Sequence, residues 1–312
     1  MKDKARYYLM NARTVRKHAV YYNKKNNYDH LAAELIRNTH SIEKGLSISN
    51  IRLGFGHAKQ KEMMDIIEKL KGIKNDYYDE AIKMAVTALD EYVSYHDKMK
   101  YSDDFIKDIK SFLKTNKKYI VKSYGGTVKL DCKELKFDEK EIERFFKTRH
   151  SIREFSGKPV EREKIKKAVD LARRCPSACN RQGVRAYVVD KNKSAKLLAQ
   201  LSGVGGFADS LDKLIIITGK ISAYRSSEIN QYLVSASIFA GYLSLTLHLY
   251  GLGACVIQRP VVYSKESEAL KEELGIPKDE QLVCIIGVGN ISGVINVPVS
   301  HRIKLDEVLK FI

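Results

Sequence analysis

From Asn230 to Gln258 the chain carries no Asp, Glu, Lys or Arg, in a sequence where those four types make up 30% of residues. A run of that length could span a bilayer. Its interior argues for a protein core instead. Gln231, Ser235, Ser237, Ser244, Thr246 and His248 punctuate it, and Gly251-Leu252-Gly253 breaks it after about six helical turns. A helix apolar on every side must lie inside a fold or an interface, so the sequence predicts a fully buried helix flanked by a strand, and no membrane contact.

Around this segment the texture alternates. Glu141–Lys147 and Glu161–Arg174 read as helices; Val184–Asp190, Lys213–Thr218 and Leu282–Gly289 are short β-branched runs suited to buried strands. Gly287-Val288-Gly289-Asn290 lacks the third glycine and the following helix of a dinucleotide loop and reads as a tight turn. The class is α+β. Residues 1–138 differ. Apolar residues recur at helical spacing in EMMDIIEKLKGI and DEAIKMAVTALDEYVSYHDKM, which with their neighbours predict three to five helices, and the polar stretch Lys122–Lys140 reads as a linker. The chain thus divides into an all-α region, 1–138, and an α+β domain, 139–312.

Hydrophobic residues at 44% suffice for real cores. Five cysteines without paired spacing, and no charged-then-apolar N-terminal segment, point to a reducing compartment and a cytoplasmic location. Cys175 and Cys179 have neither the C-x-x-C spacing of a redox pair nor a histidine pair to complete a zinc site, so no metal is expected. The formal charge of +17 is compatible with nucleic acid, an anionic surface or phosphorylated small molecules. Its basic residues are interleaved with acids, as in IEKLKGIKNDYYDE, which is the pattern of a solvated helix surface, and nucleic-acid binding is not expected.

The densest chemistry lies in Arg149-His150-Ser151-Ile152-Arg153-Glu154-Phe155. Two guanidinium groups flanking a serine hydroxyl make a phosphate clamp, since arginine offers bidentate, permanently charged donors to phosphate oxygens. Taken alone the string also suits a phosphorylation site or a surface cluster. It is followed by Cys175-Pro176-Ser177-Ala178-Cys179-Asn180-Arg181-Gln182, by Gly251-Leu252-Gly253-Ala254-Cys255 after the long apolar helix, and by Arg302 near the C-terminus.

In order and spacing these four segments resemble the nitroreductase family, with its R-R/H-S-x-R-x-F/Y, P-S-x-x-N-x-Q and G-L-G-x-C motifs and a late phosphate-binding arginine. The resemblance covers residues 139–312 and implies a nitroreductase-like fold, a central mixed or antiparallel sheet flanked by helices, binding FMN and reduced by NADH or NADPH. It implies that Arg149, Ser151, Arg153 and Arg302 hold the FMN phosphate, with His150 beside them. Pro176, Ser177, Asn180 and Gln182 would belong to the loop that reaches a flavin bound mainly to the other subunit of a homodimer, and Gln258 and Arg259 would bring backbone amides near flavin N5. Hydride would pass from the nicotinamide to N5 and on to a nitro, quinone, enone or similar electron-poor small molecule, so no catalytic acid or base is assigned. Dehalogenation or dehydrogenation on the same fold is the nearest alternative, and a non-catalytic module docking an acidic partner the more distant one. Gly183-Val184 departs from the family's Pro-Trp, removing a ring that walls the pocket, and Ser300 stands where some members have lysine. The long uncharged helix separately favours a dimer, since it presents more apolar surface than one small domain covers.

The resemblance stops at residue 139. Before it, His40-Ser41-Ile42-Glu43-Lys44-Gly45 and Asn50-Ile51-Arg52-Leu53-Gly54-Phe55-Gly56 are dense in polar residues and glycine. They read either as a capped turn or as a lid bringing His40, Lys44 and Arg52 over the flavin.

Overall fold

The computed structural model describes residues 2–19, 27–190, 197, 204, 206–258 and 264–312. Five helices fill its N-terminal part: α1 (Lys2–His18), α2 (Tyr28–Leu46), α3 (His57–Leu70), α4 (Asp76–Lys98) and α5 (Asp104–Asn116). Three of them start where a polar side chain satisfies the first free amides. Asn27 accepts from Asp29 N at 3.0 Å, Asn75 from Tyr77 N at 2.9 Å and Asp103 from Ile106 N at 2.8 Å. One apolar stripe of each of α2 to α5 then closes on a shared core, including Leu35, Ile42, Met63, Ile67, Ile82, Leu89, Tyr92 and Ile106.

The expected linker has two parts. Its first part is strapped to the helices: Thr87 Oγ1 receives the Val121 amide at 3.1 Å, Glu43 that of Gly126 at 3.3 Å and Glu91 that of Thr127 at 2.8 Å. From Val128 to the start of α6 (Glu139–Thr148) the chain is exposed, and α6 itself buries none of its residues.

A four-stranded antiparallel sheet, ordered β1-β2-β4-β3, organises the rest, with β1 Val184–Asp190, β2 Lys213–Lys220, β3 Leu252–Ile257 and β4 Glu280–Asn290. The two central strands are apolar on both faces because both faces are covered. Leu214, Ile216 and Ile285 point to one side with Phe155 and Phe207; Ile215, Ile217 and Ile286 point to the other, beneath α7 (Arg162–Ala172) and α8 (Gln231–Leu249). Helix α9 (Lys265–Glu273) starts at Ser264, whose hydroxyl accepts from Ser267 N at 3.0 Å.

Two expectations need correction. Helix α8, with a mean hydropathy of 1.4 over its most apolar window, is long and apolar enough to cross a membrane, yet only 44% of that window is buried. One face, including Ala236, Phe239 and Leu243, seals the sheet, while Val234, Ile238 and Tyr242 on the other are exposed. Gly287-Val288-Gly289 is not a turn but the continuation of β4. Gly289 is required there because a Cβ would come within 2.6 Å of the Phe155 ring. The strand that flanks the long helix is β3, whose six residues begin directly after Gly251.

Candidate functional site

After α6 the chain straightens and lies along the β3 edge of the sheet. The Ile152 amide donates to Ala254 O at 2.9 Å and the Ser156 amide to Asn290 O at 2.8 Å. Ile152 and Phe155 are the buried anchors, and the residues between and before them carry the clamp: Arg149, His150 and Ser151 half-buried, Arg153 exposed. Among the described residues neither Arg149 nor Arg153 has an ion-pair partner, whereas Arg144, Arg162, Arg173, Arg181 and Arg225 of this domain do.

Arg149 lines a cavity of about 660 Å³ together with Phe146, Ser237, Gly241, Val256 and Gln258. His150 faces an adjoining cavity of about 250 Å³, shared with Arg149, His248 and Val297. His248 sits with its ring 5.3 Å from Phe145 and Nε2 3.0 Å from Thr148 Oγ1. Burial first, and the Arg149 charge next, push its pKa below the ordinary 6.5.

The Pro176-to-Gln182 loop is built differently. Cys179, Asn180 and Gln182 all adopt left-handed backbone, with φ of 52°, 54° and 50°, so Cys175 and Cys179 share no helix. Ser177 Oγ accepts from Gln182 N at 3.1 Å, while Pro176 and Gln182 are exposed and Ser177 and Asn180 half-buried. Arg181, which sequence reasoning passed over as a variable motif position, holds the loop. Its side chain is fully buried; Nε donates to Ala178 O at 2.9 Å, Nη1 to Ala223 O at 3.2 Å and to Glu228 Oε2 at 2.7 Å, Nη2 to the other Glu228 oxygen, and the guanidinium stacks 4.5 Å from the Tyr224 ring centroid. Nothing in the linear sequence pairs Arg181 with Glu228, and only the fold brings them together.

Strand register fixes how these groups relate. Val184 pairs with Gly219, Gly219 with Gln281, and Ile257 with Ile285, so the loop before β1 and Gln258 after β3 open at the same end of the sheet. Arg149 stands at that end too, because the clamp segment passes Ala254 before it reaches Asn290. The loop and the clamp are nonetheless on opposite edges, whose strands β1 and β3 are three strand spacings or roughly 14 Å apart. Gln258 is exposed; Arg259 lies outside the described residues. Arg302 is exposed in the C-terminal arm after β4, its guanidinium donating to Ser300 O, and it does not line the Arg149 cavity.

The proposed N-terminal lid segment folds elsewhere. His40 Nδ1 is 3.4 Å from Glu43, Ser41 accepts from Lys59, the Gly54 amide donates to His96 at 3.0 Å and the Phe55 carbonyl accepts from Tyr92 at 3.0 Å. These contacts belong to the helical region, and the segment is not a turn capped by Ser41 or Asn50 either, since His40 to Gly45 form the end of α2 and α3 starts after Gly56 without a side-chain cap.

Against this geometry, the sequence profile of the Nitroreductase family matches residues 146–216 and 207–290, from the clamp through the end of β4. Residues 146–290 belong to the nitroreductase family. The domain is therefore an oxidoreductase, with a nitroreductase-like antiparallel sheet and a helical region before it. No curated protein sequence matches the chain. Among solved structures, an FMN-dependent nitroreductase from Clostridium difficile R20291 shares 29% identity, covering 49% of this chain and 90% of that one, with a TM-score of 0.43. A nitroreductase-like protein from Streptococcus mutans shares 18% over 56% and 100%, with a TM-score of 0.48. A structure from Desulfovibrio desulfuricans, described as a nitroreductase in complex with FMN, shares 19% over 56% and 96%, with a TM-score of 0.46.

Proposed function

We propose that the nitroreductase domain binds FMN at the sheet end shared by Arg149, Gln258 and the Pro176-to-Gln182 loop, and acts as an NADH- or NADPH-dependent oxidoreductase on an electron-poor small molecule. The observation that carries this reading is the cavity joining Arg149, which has no ion-pair partner among the described residues, to Gln258 at the end of β3. Its volume, about 660 Å³, falls within the usual range for cofactor sites. Bound FMN would supply the two-electron chemistry. Arg149, Ser151 and Arg153 would hold its phosphate through charge-assisted hydrogen bonds, and the β3 end would present main-chain donors beside its ring. Arg302, on the exposed arm beyond Val297, would join the clamp only if that arm folds back toward Arg149.

The same reading includes a homodimer. Exposed apolar residues collect on α6 (Ile142, Phe146), on the outer face of α8 (Val234, Ile238, Tyr242) and along the C-terminal arm (Val294, Val299, Ile303, Val308, Phe311). Exposed apolar residues gathered on neighbouring elements mark an interaction surface. A second copy packed there would cover it, and would let the loop of one protomer approach the clamp of the other, which in a single chain sits on the opposite edge.

Colour is the first test. Purified protein should show a flavin spectrum that bleaches anaerobically on adding NADH or NADPH and recovers on adding a quinone or nitroaromatic. Colourless protein that takes up no added FMN overturns the reading.

A further inference from the structure

The helical region touches the nitroreductase domain through a defined chain of charges. Glu34 of α2, only 6% exposed, accepts from Arg225 Nε at 3.0 Å and Nη2 at 2.5 Å, and from Arg37 Nη2 at 2.7 Å. The main-chain amide of Arg225 donates to Glu228 at 2.8 Å. Glu228 in turn is the carboxylate that pairs with buried Arg181. A second contact comes from α4: the Tyr77 hydroxyl reaches the Arg181 carbonyl at 3.4 Å, while Arg185 and Lys220 flank its ring at 5.5 and 5.8 Å. Around both runs an apolar seam in which Ala33 of α2 packs with Ile221, Ala223, Tyr224 and Tyr232, and with Ala178 of the loop.

The loop needs such a frame. Left-handed backbone is strained for non-glycine residues, because Cβ crowds the following carbonyl, and three of them fall within four positions here. That conformation persists only where the surroundings over-determine it. Arg181 is the determinant inside the domain, and a fully buried guanidinium holds its place only while its carboxylate partner is fixed.

We propose that Glu34, Arg225 and Tyr77 are positioning residues for cofactor binding, so that the helical region serves as a built-in buttress setting the conformation of the Pro176-to-Gln182 loop. The inference rests on the flavin reading of the site, and it gives the N-terminal helices a role without placing any of their residues against the cofactor. Because the loop would meet the ring rather than the phosphate, the buttress acts equally on FMN and on riboflavin.

The test uses the full-length protein and titrates FMN and riboflavin by fluorescence quenching, reading Kd and binding stoichiometry separately. Glu34→Gln should raise the Kd for both flavins by about tenfold, a typical coupling through a contact network, with stoichiometry unchanged and the flavin midpoint potential shifted. Lys110→Ala, which breaks an exposed pair with Asp97 on the far helices, should change neither. Should Glu34→Gln fail to fold, Tyr77→Phe removes only one hydroxyl and should raise both Kd values by about twofold to threefold. Unchanged Kd values, even with lower stoichiometry, overturn the buttress and leave a merely structural contact. Wild-type protein that binds neither flavin overturns the flavin reading, and this inference with it.

Discussion

Gly183 lies so close to Tyr224 that a Cβ placed on it would stand 2.9 Å from the ring carbon Cε2 and 3.0 Å from the hydroxyl oxygen, with the Ala223 Cβ also at 2.9 Å. The departure from the family's Pro-Trp therefore has a local cause: the Tyr224 ring, stacked on Arg181, occupies the space that a larger side chain would need. Gly183→Ala should destabilise the protein by about 1–3 kcal/mol, the usual range for an overpacked site. Thermal melts would show it, and adding Tyr224→Phe should restore part of the loss, since the hydroxyl is one of the three close atoms.

Arg149 gives a prediction of a different kind because it would touch only the phosphate end of the cofactor. Arg149→Ala should weaken FMN by about 10-fold to 100-fold, the worth of one charge-assisted interaction, while leaving riboflavin affinity as in the wild type. Equal losses for both flavins would place Arg149 away from a phosphate.

How far the sequence reveals this depends on the range of the interaction. The clamp residues were legible because Arg149, Ser151 and Arg153 fall within one short extended segment and its chemistry is local. Strands β2 and β4 were legible because burial on both faces leaves continuous apolar runs, and the edge strand β1 because its valines mark a β-rich run although most of it is only half-buried. Arg181 and Glu228 were not, since 47 positions separate them and each reads alone as an ordinary surface charge. Helix α8 was half legible: composition demanded that it be covered, but could not say that its own sheet covers only one face.

Acid should loosen the joint between the two halves of the chain. Burial alone would raise the Glu34 carboxyl, but the hydrogen bonds and charge of Arg225 and Arg37 override it and hold the pKa below the ordinary 4.5. Burial acts the same way on Glu228, and Arg181 likewise holds it below 4.5. For a carboxylate whose folded-state pKa is depressed, the stabilisation is fully present above the unfolded value and is lost as pH falls through the folded one. Melting temperature should thus fall as pH drops below 4.5, and Glu34→Gln, which has no proton to gain there, should flatten part of that fall. Parallel wild-type and Glu34→Gln curves would show that this carboxylate is not linked to folding.

The last prediction concerns α6, whose ten residues are all unburied although Ile142 and Phe146 remain 46% and 57% exposed and lie one helical turn apart on a single face. A helix this short is not stable in water on its own; Phe145 and Thr148 hold it against His248 of α8, and the face carrying Ile142 and Phe146 is left beside the outer side of α8, which shares the Arg149 cavity with Phe146. If a second copy supplies the cover, Phe146→Asp should convert the protein from dimer to monomer in sedimentation or light scattering, and FMN should be lost together with the dimer. Ile238→Asp on α8 should have the same effect, because a charge at either position would be buried without a partner. A wild-type protein that sediments as a monomer while holding FMN would remove the second copy from the site and leave the width of the sheet between loop and clamp to be bridged within one chain.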